Sequence, residues 1–188
     1  MRIITGSAKG TKLKTPRGLD TRPTGDRVKE SVFNILGEKL VGAKVLDLFA
    51  GTGNLGLEAL SRGADSALFI DRSSTSINLV RENIGLTKLA DKAEVLKGDS
   101  LTVLERLMNR KLQFDLIFCD PPYNKGLVQL VLAKIDQGTL LSSHGVVVVE
   151  HSKHDPLNEH FSQLKVNRTE KYGETLVSFV IIENQGGC

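Results

Sequence analysis

From Lys44 onward, short apolar runs alternate with amphipathic segments of helix length, and this alternation restricts the fold more than any other feature. Lys44–Phe49 is apolar apart from Asp47, Ser66–Ile70 ends at Asp71, and Ala93–Leu96 leads into Gly98-Asp99-Ser100. Phe114–Cys119 and Gly145–Glu150 complete five predicted strands. Val146 to Val149 is unbroken, as a strand buried on both faces should be. Between the strands, the spacing predicts helices from Asn54 through Leu60 with a stop at Gly63, and from Ser73 or Ser74 past Ile77, Val80 and Ile84 to Gly85. Two more are predicted from Asp99-Ser100 through Leu107 and from about Leu127 to Ile135. Repeated βα units imply a parallel sheet with right-handed crossovers and helices on both faces. Asp155-Pro156 predicts the entry to a further short helix. Leu164–Lys171 and Leu176–Ile182 are separated only by Tyr172-Gly173-Glu174-Thr175, too few residues for a crossover, so that pair is predicted antiparallel. The expected fold is α/β, a mostly parallel seven-stranded sheet with an antiparallel C-terminal hairpin.

The opening residues have a different character. Residues 1–30 hold Arg2, Lys9, Lys12, Lys14, Arg17, Arg22, Arg27 and Lys29 against Asp20, Asp26 and Glu30, a surplus of five in a chain of net charge +3. A basic arm on a slightly acidic body suits a polyphosphate partner. Ile3-Ile4 can pair with Lys12-Leu13-Lys14 as a short hairpin. Val28, Val32, Ile35, Leu36 and Leu40 share a face and predict a helix over 27–40, entered at Pro23-Thr24-Gly25-Asp26. These features divide the chain into a basic N-terminal extension, 1–26, and a domain, 27–188. With 188 residues, the length suits one full core.

Several classes fall away on composition. No apolar run approaches the ~20 residues of a membrane span, and Met1–Gly6 has no signal-peptide apolar region. Cys119 and Cys188 offer neither a disulfide framework nor a metal site, so a cytoplasmic protein without a metal is expected. His144, His151, His154 and His160 lack metal-ligand spacing and are expected at the surface, with at most a minor substrate contact from His151. The two methionines and the phenylalanines are expected in the core.

In open α/β sheets, ligands bind beyond the carboxyl ends of the strands, and Asp47, Asp71, Asp99 and Asp120 all fall at or near such ends. Gly51-Thr52-Gly53-Asn54-Leu55-Gly56 fits the dinucleotide fingerprint, with Asp71 twenty residues after Gly51 where a ribose-binding acid is expected. An NAD-dependent oxidoreductase is therefore one reading, although no second domain is present to hold a hydride acceptor. Asp120-Pro121-Pro122-Tyr123 points elsewhere. Two prolines stop the fourth strand and hold the chain extended. The tetrad then presents a carboxylate, main-chain carbonyls and one aromatic face, a set that suits a planar substrate bearing an amino group.

Val45-Leu46-Asp47-Leu48-Phe49-Ala50-Gly51-Thr52-Gly53, with Asp71, Asp99 and Asp120-Pro121-Pro122-Tyr123, resembles the Rossmann-like class I S-adenosylmethionine-dependent methyltransferases that modify amino groups. Met1-Arg2-Ile3-Ile4, Arg22-Pro23-Thr24 with Arg27, the run from Asn54 to Ala64, and Tyr172-Gly173 resemble the bacterial small-subunit (16S) ribosomal RNA guanine-N2 methyltransferases. The resemblance covers essentially the whole chain. It implies that Asp47, Phe49, Ala50, Gly51, Thr52 and Gly53 hold the methionine end of S-adenosylmethionine, Asp71 and Arg72 the ribose, and Asp99 and Ser100 the adenine. It assigns Asp120, Pro121, Pro122 and Tyr123 to catalysis. Ribosomal RNA would be held by Lys9, Lys12, Lys14, Arg17, Arg22 and Arg27, with Tyr123 stacking on the base. Thr52 stands where serine is frequent, and Asp71 where glutamate is. A monomer is implied, acting on RNA that is naked or within a small subunit or assembly intermediate. The same chemistry on adenine N6 of DNA or RNA, or on a protein glutamine, is the alternative; those enzymes often carry asparagine at the position of Asp120. A non-catalytic RNA-binding assembly factor would not need the complete set of motifs.

Overall fold

A computed structural model describes residues 1–16, 23–122, 126–155, 157 and 161–183. Among these, β1 (Lys44–Asp47), β2 (Ser66–Asp71), β3 (Ala93–Lys97), β4 (Phe114–Cys119), β5 (Leu141–Ser152), β6 (Leu164–Tyr172) and β7 (Thr175–Ile182) form one sheet. Its order is β3-β2-β1-β4-β5-β7-β6. The first five strands are parallel, and β7 runs antiparallel between β5 and β6. The helices are α1 (Pro23–Leu36), α2 (Asn54–Ser61), α3 (Ser74–Thr87), α4 (Ser100–Asn109) and α5 (Leu127–Asp136). The chain winds outward from β1 to β3, then returns to lay β4 on the other side of β1. That reversal opens a crevice at the carboxyl ends of β1 and β4.

The pleat divides the core in two. Val45, Leu116, Phe118, Val146 and Val148 pack under α1, α2 and α3, together with Val177 and Phe179 of β7. Leu46, Ile117, Cys119, Val147 and Val149 face α4 and α5 instead. Successive residues point to opposite faces, so a strand covered on both sides must be apolar throughout, which accounts for the valine run of β5.

Several elements depart from their predicted limits: β1 ends at Asp47 instead of Phe49, α4 runs to Asn109, and three others differ for identifiable reasons. The helix predicted over 27–40 is α-helical only to Leu36, because Gly37 adopts φ +52° and the chain continues as a 3₁₀ turn to Leu40. Gly85 does not close α3; the helix runs on to Thr87 and ends at Lys88 in the left-handed region, φ 58°. Thr87 is buried, its hydroxyl bonded to the carbonyls of Asn83 and Ile84, and this favours the extra half-turn over an earlier stop. Strand β5 extends to Leu141–Ser152 because β7 pairs with it as far as Ser152. The helix predicted at Asp155-Pro156 falls largely on residues outside those described.

Residues 1–16 are built into this body. The hairpin expected from Ile3-Ile4 with Lys12–Lys14 is reduced to one antiparallel bridge, Arg2 with Lys12, and Ile3, Ala8 and Leu13 are buried in the α1–α3 core. Their main chain is held by interior side chains of the helices. Glu58, fully buried, accepts from the amides of Ile4 (2.8 Å) and Thr5 (3.0 Å), from Arg62 Nε (2.8 Å) and from Lys29 Nζ (3.1 Å). Lys29 Nζ also donates to the Arg2 carbonyl (2.6 Å) and Asn54 Oδ1 (2.7 Å). Burial holds the Lys29 amine below its ordinary range, and the charge of Glu58 opposes that shift. At the other end, buried Asn83 accepts from the Lys14 amide (2.7 Å) and donates to the carbonyls of Lys14 (3.0 Å) and Thr52 (2.8 Å).

Replacing Glu58 with alanine strands a buried ammonium and two amide donors. The expected loss is about 3–5 kcal/mol, read as a lower urea midpoint. The double variant Lys29→Met, Glu58→Gln removes both charges and should recover part of that loss. A single Glu58→Ala variant as stable as the parent would show that this network does not hold the segment.

Candidate active site

Each wall of the crevice comes from a different part of the chain. A cavity of about 760 Å³ lies beyond the carboxyl ends of β1, β4 and β5, on the α1 face of the sheet. The strands supply its acids. Asp47 pairs in register with Phe118, and Phe118 with Val148. Two residues further along, with the same side-chain direction, are Asp120 and Glu150, and all three carboxylates line the cavity. Phe49, Ala50, Gly51 and Thr52 form a second wall, α1 contributes Asp26 and Lys29, and Met1, Thr15 and Pro16 close one side.

Hydrogen bonds fix the glycine loop. The Ala50 amide donates to the Ile70 carbonyl (2.9 Å), and the Gly56 amide to Asp47 Oδ2 (3.1 Å). Asp71 accepts from the amides of Gly51 (2.9 Å) and Ser73 (2.8 Å), one on each oxygen. A side chain at Gly51 (φ +54°) would project into open space, with the Phe49 carbonyl 3.9 Å away as its nearest neighbour; Gly51 thus leaves room for a ligand. Gly53 differs. At φ +79° it starts α2, and an added Cβ would press on Leu57 at 3.3 Å and on Phe69 and Val80 at 3.5 Å, all core residues.

Two of the acids in this cavity have raised proton affinity, for different reasons. Burial pushes the Asp47 carboxyl up to about 7, against the Gly56 hydrogen bond and with a smaller contribution from the charge of Asp71. Confinement at the cavity floor, then the charges of Glu150 and Asp47, push Asp120 well above the carboxylate range. Burial also pushes the Cys119 thiol up, leaving it a neutral core residue.

The structure brings Asp47, Phe49, Ala50, Gly51, Thr52 and Asp120 together around the cavity, with buried Pro121 and exposed Pro122 next in the chain. Asp71, Arg72, Gly53, Asp99 and Ser100 do not line it. Asp71 braces the loop from behind and Arg72 is exposed. Asp99 caps α4 by accepting from the Thr102 amide (3.1 Å), and buried Ser100 donates to the Leu48 carbonyl (2.6 Å). Lys9, Lys12 and Arg27 are exposed, and Lys14 reaches Glu82 at 2.8 Å. Arg17, Arg22 and Tyr123 lie outside the described residues, as does His160.

His151 requires correction. It is buried between Ser178 Oγ (2.9 Å) and the Asp155 carbonyl (3.2 Å), because it alternates with Glu150 and points to the opposite face of β5. Met1 also departs from the expected core role: it lines the cavity, its sulfur 3.3 Å from the Thr52 hydroxyl. Glu150, Glu58 and Asn83 were not singled out from the sequence. Glu150 could have been, by the same strand-end rule that found the aspartates.

Residues 1–181 match the family described as Conserved hypothetical protein 95. The chain belongs to that family. It is 42% identical over 178 residues to the Bacillus subtilis protein named "Putative rRNA methyltransferase YlbH", covering 95% of this chain and 97% of that one. Identity to the Escherichia coli ribosomal RNA small subunit methyltransferase D is 31% over 186 residues, covering 99% and 92%. The solved structure of "Putative methyltransferase yhhF" from Escherichia coli matches with a TM-score of 0.86 and 32% identity, covering 98% of this chain and 99% of that one.

The raised Asp47 carboxyl generates a pH prediction. Below about pH 4 the group is protonated both folded and unfolded, so it contributes no difference. As pH rises from there to about 7, the unfolded chain loses the proton first and the folded state is progressively penalised. Asp47→Asn should therefore raise the melting temperature at pH 8, by up to about 4 kcal/mol in stability, with the gain vanishing near pH 4. A pH-independent difference between variant and parent would contradict the assignment.

Proposed function

We propose that the protein transfers a methyl group from S-adenosylmethionine to the exocyclic N2 amine of a guanine in small-subunit ribosomal RNA. The observation that carries this reading is the convergence of Asp47, Asp120 and Glu150 in one cavity beside the glycine loop. Clustered carboxylates favour a cationic ligand, and S-adenosylmethionine carries both an ammonium and a sulfonium. The space left at Gly51 allows close approach to the main chain. A volume near 760 Å³ lies within the usual range for small-molecule sites. Bound there, the cofactor supplies an electrophilic methyl group.

Asp47 and the Ala50–Gly53 main chain hold the methionine end, and Asp71 accepts from ribose hydroxyls with lone pairs left over from its two amide bonds. Arg72, Asp99 and Ser100 complete the nucleoside end. The guanine amine is a weak nucleophile because its lone pair is delocalised into the ring. Asp120 and the Pro121 carbonyl accept its N–H bonds and hold it toward the methyl, and their oxygens stabilise the positive charge that develops on nitrogen. Fixing two reactants together can contribute on the order of 7–11 kcal/mol. The base leaves its stack to reach the cavity, and Tyr123 supplies the aromatic face that receives it. Lys9, Lys12, Lys14, Arg17, Arg22 and Arg27 grip RNA phosphates. The protein acts as a cytoplasmic monomer on RNA, naked or within an assembling small subunit.

Nucleoside mass spectrometry of small-subunit RNA from a strain lacking the protein should show loss of one methylguanosine. Calorimetry should show binding of S-adenosylmethionine and none of NAD; the reverse result overturns the reading. In vitro, Asp120→Ala should remove nearly all turnover while cofactor affinity survives. Tyr123→Phe should cost little, and Tyr123→Ala about ten- to a hundredfold. Equal damage from Phe and Ala would assign the work to the hydroxyl rather than the ring.

Neutralising Lys9, Lys12, Lys14 and Arg17 together should weaken RNA binding. The slope of log affinity against log salt should flatten by about 0.7 per lost contact with single-stranded RNA. An unchanged slope would remove these residues from the interface.

A further inference from the structure

Glu150 is the one acid of the cavity floor not yet assigned a contact with a particular atom of cofactor or base. It ends the valine run of β5, and the pairing of Cys119 with Val149 sets it beside Asp120 at the carboxyl ends of adjacent strands. Both side chains follow Phe118 and Val148 on the same face of the sheet, so they open into the same cavity rather than to opposite sides. Val177 of β7 pairs with Glu150, and Val148 and Tyr172 line the same cavity. The Tyr172 hydroxyl is bonded to Ser31 Oγ at 2.6 Å, which anchors that ring to α1.

We propose that Glu150 accepts the N1–H of the target guanine while Asp120 accepts from its N2 amine, so that paired carboxylates on β4 and β5 select the base. This inference rests on the reading that the cavity receives a guanine.

An ionised carboxylate accepts hydrogen bonds and donates none, and the donors of a bound guanine favour the ionised form of Asp120 against the burial and neighbouring charges that raise it. The Watson–Crick edge of guanine presents two adjacent donors, N1–H and the N2 amine, and two neighbouring carboxylates satisfy both. Adenine presents an amine beside a bare N1 acceptor. Its lone pair would face Glu150 oxygens, setting two acceptors against each other, and such a mismatch excludes a wrong ligand as effectively as contacts favour the right one. The mutual repulsion that raises the Asp120 carboxyl reports the same closeness of the two acids. Two donors on one ligand edge relieve that repulsion, which makes the pair most stable when the correct base is present.

The test uses small-subunit RNA carrying 2-aminopurine at the position the parent protein methylates. This analogue keeps the N2 amine and has a lone pair in place of N1–H. Binding without cofactor and methyl transfer from radiolabelled S-adenosylmethionine are both measured, for the parent and for Glu150→Gln, whose amide can donate to an N1 lone pair. The parent should prefer guanine by about ten- to a hundredfold. Glu150→Gln should lower activity on guanine, raise it on 2-aminopurine, and so collapse or invert the preference, each rate being compared at saturating S-adenosylmethionine. A merely structural role for Glu150 predicts equal losses on both RNAs, and that result overturns the inference. So does a parent that treats the two bases alike, an outcome that needs no variant to fold. A parent that binds S-adenosylmethionine but methylates no guanine in small-subunit RNA overturns the underlying reading and this inference with it. Methylation of guanine with a ratio unmoved by the substitution overturns this inference alone.

Discussion

The buried carboxylate of Glu58 is the interaction on which the arrangement of this molecule depends. An ion inside a core is stable only when its hydrogen-bonding capacity is filled, and the four donors on Glu58 come from three separate parts of the chain. Two are amides of the opening residues, one is the Lys29 amine on α1, and one is Arg62 just past α2. Neither α1 nor residues 1–16 can leave α2 without exposing a charge to an apolar surround. Lys29 extends the network to Asn54, the first residue of α2 and a neighbour of the glycine loop. Through it, the position of the N-terminal segment is tied to that of the cavity wall.

A similar economy governs the loop. In the fingerprint, an acid some twenty residues after the first glycine is expected to meet a ribose. Here that spacing is realised as a direct bond from the Gly51 amide to Asp71. The acid shapes the loop before any ligand arrives, and its remaining lone pairs stay available. The cavity floor lies at the opposite extreme of stability. Asp47 is buried there and Asp120 is crowded by Glu150 and Asp47, an arrangement that costs the free protein stability and is relieved when a cation or a hydrogen-bond donor enters. Sites commonly hold such strain where ligands later compensate it.

Much of this was legible in the sequence because it follows from short-range pattern. The βα alternation from Lys44 gave the parallel sheet, and the four-residue gap at Tyr172–Thr175 gave the antiparallel pair. The strand-end rule located Asp47 and Asp120. What escaped depends on contacts between distant residues. Lys29 counts as a positive charge in composition, yet it is an interior residue with three named oxygen partners. Glu58 reads as one polar position on a short helix, and nothing local shows that the segment fifty residues earlier donates to it. His151 and Glu150 are adjacent in sequence, and only the register of β5 reveals that one faces the cavity and the other the core. Gly85 had the local signature of a helix stop, and the burial of Thr87 overrode it.

The same distinction changes what the charge count of residues 1–30 means. Eight cations in that stretch suggest a uniformly basic grip. Lys29, however, is neutralised in the interior, Lys14 reaches Glu82, and Arg2 lies 3.9 Å from Asp26. Lys9 and Lys12 stand on the hairpin, whose main chain is bonded to α2, and Arg27 stands on α1. Among the described residues, the exposed charge is therefore sparse and carried on elements joined to the cavity, instead of being spread along a loose tail. A loose tail would raise the local concentration of RNA without orienting it. Charges fixed relative to Asp120 and Glu150 can set both the distance and the direction from which a nucleotide enters. That geometric constraint is what methyl transfer to one amine among many requires. Specificity in this design would arise from the distance between a phosphate grip and a base pocket, held constant by the hydrogen bonds of Glu58 and Asn83.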